Sequence, residues 1–311
     1  MNCWLKSRNQ TYRKWSYGIF LFILGILIPL QGNAQFSLED KSLDRKIRRS
    51  FHHLYNFQFS SAQKVLNGAA DSLEADSWEY FALSNIHLWQ IFAGAKDEEI
   101  QKKYRFYLDL QLQHSDKISN EKEARFLKIM HYTYLTRLTL NEKEYFSAFK
   151  AVSKYYSLLK PTFSDTTYAP YLLIDGLYYY LFSYAHKNYV LLRPFLSVYK
   201  QGDARKGIRY LKKAASSSNE IIRTEARYFL MKIYYEMESK PQKALPYARH
   251  LKSEYPGNFI FDFYYHQIQA SLKQNYVADI KKVKDRIISK AELNKSHKHY
   301  FKTLLQEKYP N

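Results

Sequence analysis

Apolar residues recur along this chain at the three- and four-residue spacing of helices, with little of the strict alternation that marks strands. In KALPYARHLKSEY, Ala244, Tyr247, Ala248, Leu251 and Tyr255 fall on one helical face. Start signals recur ahead of such runs. Ser60 to Gln63 and Ser239 to Gln242 fit a capping box, and Asp76 to Glu79, Asn120 to Glu123 and Asn141 to Glu144 are looser versions. Asp203 and Asn219 read as N-caps, and LLKP, SEYPGN and EKYPN as stops. Pairing the helices gives units near 39–70, 77–115, 120–160, 165–217, 219–256 and 257–291, with a last helix near 296–308. The pattern predicts an all-α chain of about six helical hairpins.

The hairpins share a second regularity. A close helix crossing leaves no room for a large side chain, so small residues should open the second helices. Ala62, Ala148, Gly207, Ala244 and Ala278 fit, and the last two gaps, 37 and 34 residues, approach the tetratricopeptide period of about 34. On a helical wheel Ala226, Leu230, Ile233 and Met237 form one apolar stripe, and Tyr228, Met231 and Tyr235 another nearly opposite. A helix apolar on two sides is sandwiched between neighbours, as in stacked repeats where each unit contacts the one before and the one after. Two polar strips remain: Glu225, Lys232 and Glu236 on one side, Arg223, Arg227 and Glu238 on the other.

The stretch YFLMKIYYEMESKPQKALPYARHLKSEYP resembles a tetratricopeptide repeat. Tyr228, Met231, Tyr235, Ala244 and Pro256 hold the aromatic, large apolar, tyrosine, alanine and closing-proline positions of that pattern. Lys232 departs from it, standing where the family prefers Gly or Ala, and Ala248 and Leu251 replace the usual aromatic and Ala. GDARKGIRYLKKA matches more weakly. The resemblance implies a right-handed superhelical α-solenoid whose inner groove binds proteins or peptides, and it implies no chemistry and no cofactor.

The N-terminus changes the setting. Lys6, Arg8, Arg13 and Lys14 precede an apolar run from Tyr17 to Leu30, and small residues follow at Gly32 and Ala34. This reads as a signal peptide over 1–34, cleaved after Ala34. The run has 14 residues, short for a spanning helix, so cleavage is expected over the alternative of an uncleaved signal-anchor; either way the body lies outside the cytoplasm. Cys3 precedes the run, whereas a lipoprotein cysteine follows it, so no lipid anchor is expected. The expected location is the periplasm or cell surface, with residues 35–311 forming one repeat domain. Those residues contain no cysteine, so their stability must come from packing.

Charge narrows the partners. Without its first 34 residues, which carry four bases and no acid, the formal charge falls from +19 to +15. Lys273 to Lys308 holds ten bases and four acids. Outside the cytoplasm nucleic acid is not the expected partner. Anionic envelope polymers such as lipopolysaccharide, lipid surfaces or an acidic protein face fit better.

Chemistry candidates are weak. Gly202 and Gly207 have the glycine spacing of a phosphate-binding loop, but Ile208 and Arg209 stand where it needs Lys and Ser or Thr. His297 with His299, and His52 with His53, lack the spacing and carboxylate of a metal site. The carboxylates of Asp71 to Asp76 read as a connecting loop with a helix cap. No catalytic, cofactor or metal residues are therefore named. The aromatic load is different: in GLYYYLFSY, consecutive Tyr178, Tyr179 and Tyr180 cannot all face one buried stripe, so some hydroxyls should reach water or a partner. The residues expected to touch a partner are Glu225, Lys232, Glu236, Tyr178, Tyr179 and Tyr180. The expected function is that of an exported, non-catalytic scaffold binding a protein or peptide; the alternative is an envelope glycan or lipopolysaccharide binder that uses those tyrosines.

Overall fold

A computed structural model describes residues 41–66, 73–190, 193–272 and 277–308. The reading of a signal peptide over 1–34 lies outside them, as do the side chains from Asp71 to Asp76 and that of Ala278. Every regular element among the described residues is helical. In chain order they are α1 (Lys41–Tyr55), α2 (Phe59–Leu66), α3 (Leu73–Phe92), α4 (Glu98–Ser115), α5 (Glu121–Asn141), α6 (Tyr145–Leu159), a 3-10 turn (Lys160–Ser164), α7 (Ala169–Asn188), α8 (Arg193–Leu196), α9 (Ala204–Ala215) and α10 (Glu220–Lys232). The last of these runs on through a π turn (Ile233–Met237) and is followed by α11 (Pro241–Glu254), α12 (Phe259–Ser271), α13 (Val277–Ser289) and α14 (Lys295–Lys308).

Side-chain caps set five of the starts. Asn120, Asp203 and Asn219 cap α5, α9 and α10 by accepting from backbone N–H groups in the first turn. Asp97 and Asn258 do the same for α4 and α12. Four expected boxes differ. Asp76 lies inside α3, which begins at Leu73, and does not cap it. The α2 helix begins at Phe59, so Ser60 lies inside it, and the chain reaches it through Phe57 at φ 55°. Asn141 ends α5, and α6 starts at Tyr145 after Glu144, which makes no side-chain cap. Ser239 adopts φ 52° to turn the chain after the π turn, leaving Lys240 ahead of α11.

Consecutive helices pair: α1 with α2, α3 with α4, α5 with α6, α7 with α9, α10 with α11, and α12 with α13, with α14 lying on α13. This is a helical-repeat arrangement. Ala62, Ala148 and Ala244 are buried at the openings of their second helices. Gly207 sits on α9 against α7, where an added Cβ would lie 2.6 Å from both the Gly176 carbonyl oxygen and the Tyr180 nitrogen. That contact explains the glycine and leaves no phosphate loop: Gly202 is in irregular chain and Gly207 is on the helix.

The row is not limited to neighbour contacts. The Tyr55 hydroxyl on α1 donates to Glu225 Oε1 on α10 at 2.8 Å. The Asn258 side-chain amide, capping α12, donates to the Tyr55 carbonyl at 2.9 Å, and Lys290 Nζ at the end of α13 donates to the Asn56 carbonyl at 2.8 Å. Trp89 on α3 packs on Tyr228 of α10 and Phe261 of α12, while Phe57 meets Phe259 and Phe301. The first hairpins thus seat on the last ones, and the first helices of the hairpins share one core.

Candidate functional site

The six residues expected to meet a partner fall in two interior places. Tyr178, Tyr179 and Tyr180 are each 2 % exposed. The expectation that consecutive tyrosines cannot all be covered fails because α7 is wrapped on every side. Phe163 of the 3-10 turn packs on Tyr178 and Tyr179, Phe182 and the Tyr156–Tyr199 pair flank Tyr178, and Tyr210 of α9 meets Tyr179. Close approach of α9 at Gly176 and Gly207 closes that side. The hydroxyls bond within the protein: Tyr178 donates to the Lys200 carbonyl at 2.5 Å, Tyr179 accepts from Lys206 Nζ at 2.9 Å, and Tyr180 donates to Glu238 at 3.4 Å. Burial raises the pKa of the Tyr178 and Tyr180 phenols well above their ordinary range.

Glu225 was expected on a polar strip, yet it is 1 % exposed because α1 lies over it. Desolvation pushes its carboxyl up to about 8, against the opposing pull of the hydrogen bond from Tyr55. Lys232 and Glu236 sit nearer the edge as an ion pair at 3.4 Å, and the Tyr264 hydroxyl donates to Glu236. Burial lowers the Lys232 pKa, with Glu236 pulling the other way. Close by, the Arg137 guanidinium lies 3.9 Å from the centre of the Phe92 ring, and burial brings its pKa down to about 10. These groups tie α5 to α3 through the Arg137–Phe92 contact, and α12 to the end of α10 through the Tyr264–Glu236 bond.

The buried carboxyl makes stability depend on pH. Folded Glu225 keeps a proton that the unfolded chain releases above about 4.5, so its contribution is most favourable below that pH and is lost as pH rises toward 8. Asp175, raised by burial to about 7, acts with the same sign. Glu225→Gln keeps an acceptor for Tyr55 and has no proton to lose. Urea midpoints at pH 5 and pH 8 should differ less in this variant, which should gain on the order of 1 kcal/mol at pH 8. Parallel pH profiles for the two proteins would contradict this assignment.

An accessible concavity lies elsewhere. A groove of about 650 Å³ opens between α9 and α11 with α10 as its floor. Lys212, Arg227, Tyr234, Lys243, Tyr247 and His250 line it. The Tyr234 and Tyr247 rings stack with centroids 6.1 Å apart and planes 16° from parallel. Burial raises the Tyr234 phenol to about 12. Pro246, which lacks a backbone donor, is tolerated within α11 on this open side. Carboxylates that act on lining residues are engaged: Glu254 holds Arg223 at 2.6 Å and Arg227 at 2.9 Å, and Glu238, which acts on Tyr234, holds Lys240 at 2.6 Å. Lys212 and Lys243 are exposed and form no ion pair among the described residues. The groove therefore presents positive charge beside flat aromatic surface. A signal for it was present in the sequence, since Ala204 to Ser218 carries five bases and no acid.

Other candidates are structural. His52 bonds to Glu220 at 2.7 Å, and His297 is buried, with its pKa lowered by desolvation. Among the described residues no three His, Cys, Asp or Glu side chains gather as a metal site, and no helix is long and apolar enough to cross a membrane. Comparison with protein-family models, with curated proteins and with solved structures finds no match.

Proposed function

We propose that this chain is a non-catalytic interaction scaffold of the cell envelope, exported with loss of residues 1–34, and that it holds an acidic segment of a protein or peptide partner. In this reading the hairpins follow the right-handed tetratricopeptide-like superhelix implied by the Tyr228 to Pro256 stretch. The observation that carries the reading is the α9–α10–α11 groove, where Lys212 and Lys243 form no ion pair among the described residues and stand beside the Tyr234–Tyr247 stack, the Lys243 ammonium 5.9 Å from the Tyr234 ring centre. Flat aromatic rings with two torsions each give contact area at low entropic cost, and the lysines select carboxylates. The position of the groove follows from the fold: α1 and α3 fill the inner side at Glu225 and Trp89, so the open surface lies between second helices.

The test is recovery of partners from an envelope extract by the purified chain, beside a Lys212→Glu, Lys243→Glu variant. Partner recovery should fall about tenfold in the variant, with a steeper salt dependence for the unaltered chain. Equal recovery by the two proteins would place the contact elsewhere. A second reading, an anionic glycan or lipopolysaccharide as occupant, is favoured by the same stacked rings. With Tyr178 to Tyr180 buried it too rests on the groove, and retention on lipopolysaccharide that the variant loses would select it.

A further inference from the structure

The start of α6 is apolar on the wrong side. Its buried face is Ala148, Ala151, Tyr155 and Leu159, yet Tyr145, Phe146 and Phe149 are 68 %, 72 % and 57 % exposed. Single exposed hydrophobes need no explanation, but clustered aromatics on one ridge mark a contact surface.

The surrounding charge identifies the occupant. From Tyr145 to Ser164 there is no acidic residue, while Lys150, Lys154 and Lys160 recur along the stretch and Lys143 precedes it. The Lys150 ammonium lies 4.5 Å from the centre of the Phe146 ring, so charge and ring present together. Of the acids at the helix start, Glu142 is neutralised by Arg105, leaving Glu144. The aromatic residues stand out from a helix start and line none of the groove, whereas protein hot spots favour desolvated pockets. Phenyl rings at the level of lipid headgroups, with lysines reaching the phosphates beside them, are how a soluble fold docks on an anionic bilayer.

We propose that the Tyr145–Phe146–Phe149 ridge seats the protein on an anionic phospholipid surface, independently of the α9–α10–α11 groove. The test is co-sedimentation of the purified chain with vesicles of phosphatidylcholine alone and of phosphatidylcholine mixed with phosphatidylglycerol, at low and high salt. Binding should require the anionic lipid, weaken with salt, and fall about tenfold in a Phe146→Glu, Phe149→Glu variant. The replaced rings are exposed, so the variant should keep its circular dichroism spectrum and its partner recovery through the groove. In a Phe146→Trp variant, brominated phosphatidylcholine within the anionic vesicles should quench the added indole. Three results would overturn the proposal: no vesicle binding, unchanged binding by the double variant, or binding lost instead by charge reversal in the lysine-rich segment Lys281 to Lys302. A chain that self-associates through Phe146 and ignores vesicles would equally overturn it, making the ridge a contact between copies.

Discussion

Gly207→Val is expected to be the most damaging single substitution outside the aromatic core. A Cβ at this position would lie 2.6 Å from the Gly176 carbonyl oxygen and the Tyr180 nitrogen and 2.8 Å from the Tyr180 Cβ. Backbone atoms cannot step aside as a flexible side-chain tip can, so α9 must move off α7. That movement would uncover Tyr179 and Tyr180 and strip the seal from a helix rich in tyrosine. The cost should reach about 3 kcal/mol, at the upper end for overpacking, and the isolated chain is expected to be partly unfolded at physiological temperature. Arg209→Val on the exposed side of the same helix brings the same β-branched residue without the clash. It should cost well under about 1 kcal/mol. Urea melts of the two variants read the difference, and similar midpoints would mean that the α7–α9 crossing is looser than described.

Much of the architecture could be read before any coordinates. Ala226, Leu230 and Ile233 of one stripe and Tyr228 and Met231 of the other are buried, with Met237 and Tyr235 half-buried at their ends, as a helix flanked on two sides requires, and Asn120, Asp203 and Asn219 do cap their helices. Gly207 was legible as a contact position because the residues around it form a helical stripe and lack the chemistry of a phosphate loop. Long-range closure was not legible. Nothing local in SFHHLYN states that Tyr55 covers Glu225, 170 positions away, so by sequence alone Glu225 reads as a solvated strip residue. The same gap misplaced Tyr178 to Tyr180. A helical wheel counts the faces of one helix, whereas the number of neighbours around α7 is a tertiary property. The groove is legible only as a run of bases, for a related reason. Lys212 and Lys243 look like ordinary surface lysines until α9 and α11 are set side by side over Tyr234.

Trp89→Ala bears on the feature that decides which surfaces a partner can reach, the seating of the first hairpins on the last. Trp89 is 1 % exposed and belongs to the second hairpin, yet its ring contacts Tyr55 of α1, Tyr228 of α10 and Phe261 of α12. Removing a buried indole should cost about 3–5 kcal/mol. The distribution of that loss carries more information than its size. In a row with neighbour contacts alone, a defect in the second hairpin loosens the first and third and leaves the rest protected. In the arrangement described, α10 and α12 share the cavity and must loosen with α3.

Amide hydrogen exchange on the Trp89→Ala chain, followed by segment, therefore tests the central claim most directly. The expected result is faster exchange in α1, α3, α10 and α12 together, with α6 and α9 much less affected. Exchange that rises in α3 and its sequence neighbours while α10 and α12 stay as protected as in the unaltered chain would contradict it, and would reopen the inner side at Glu225 as a binding surface.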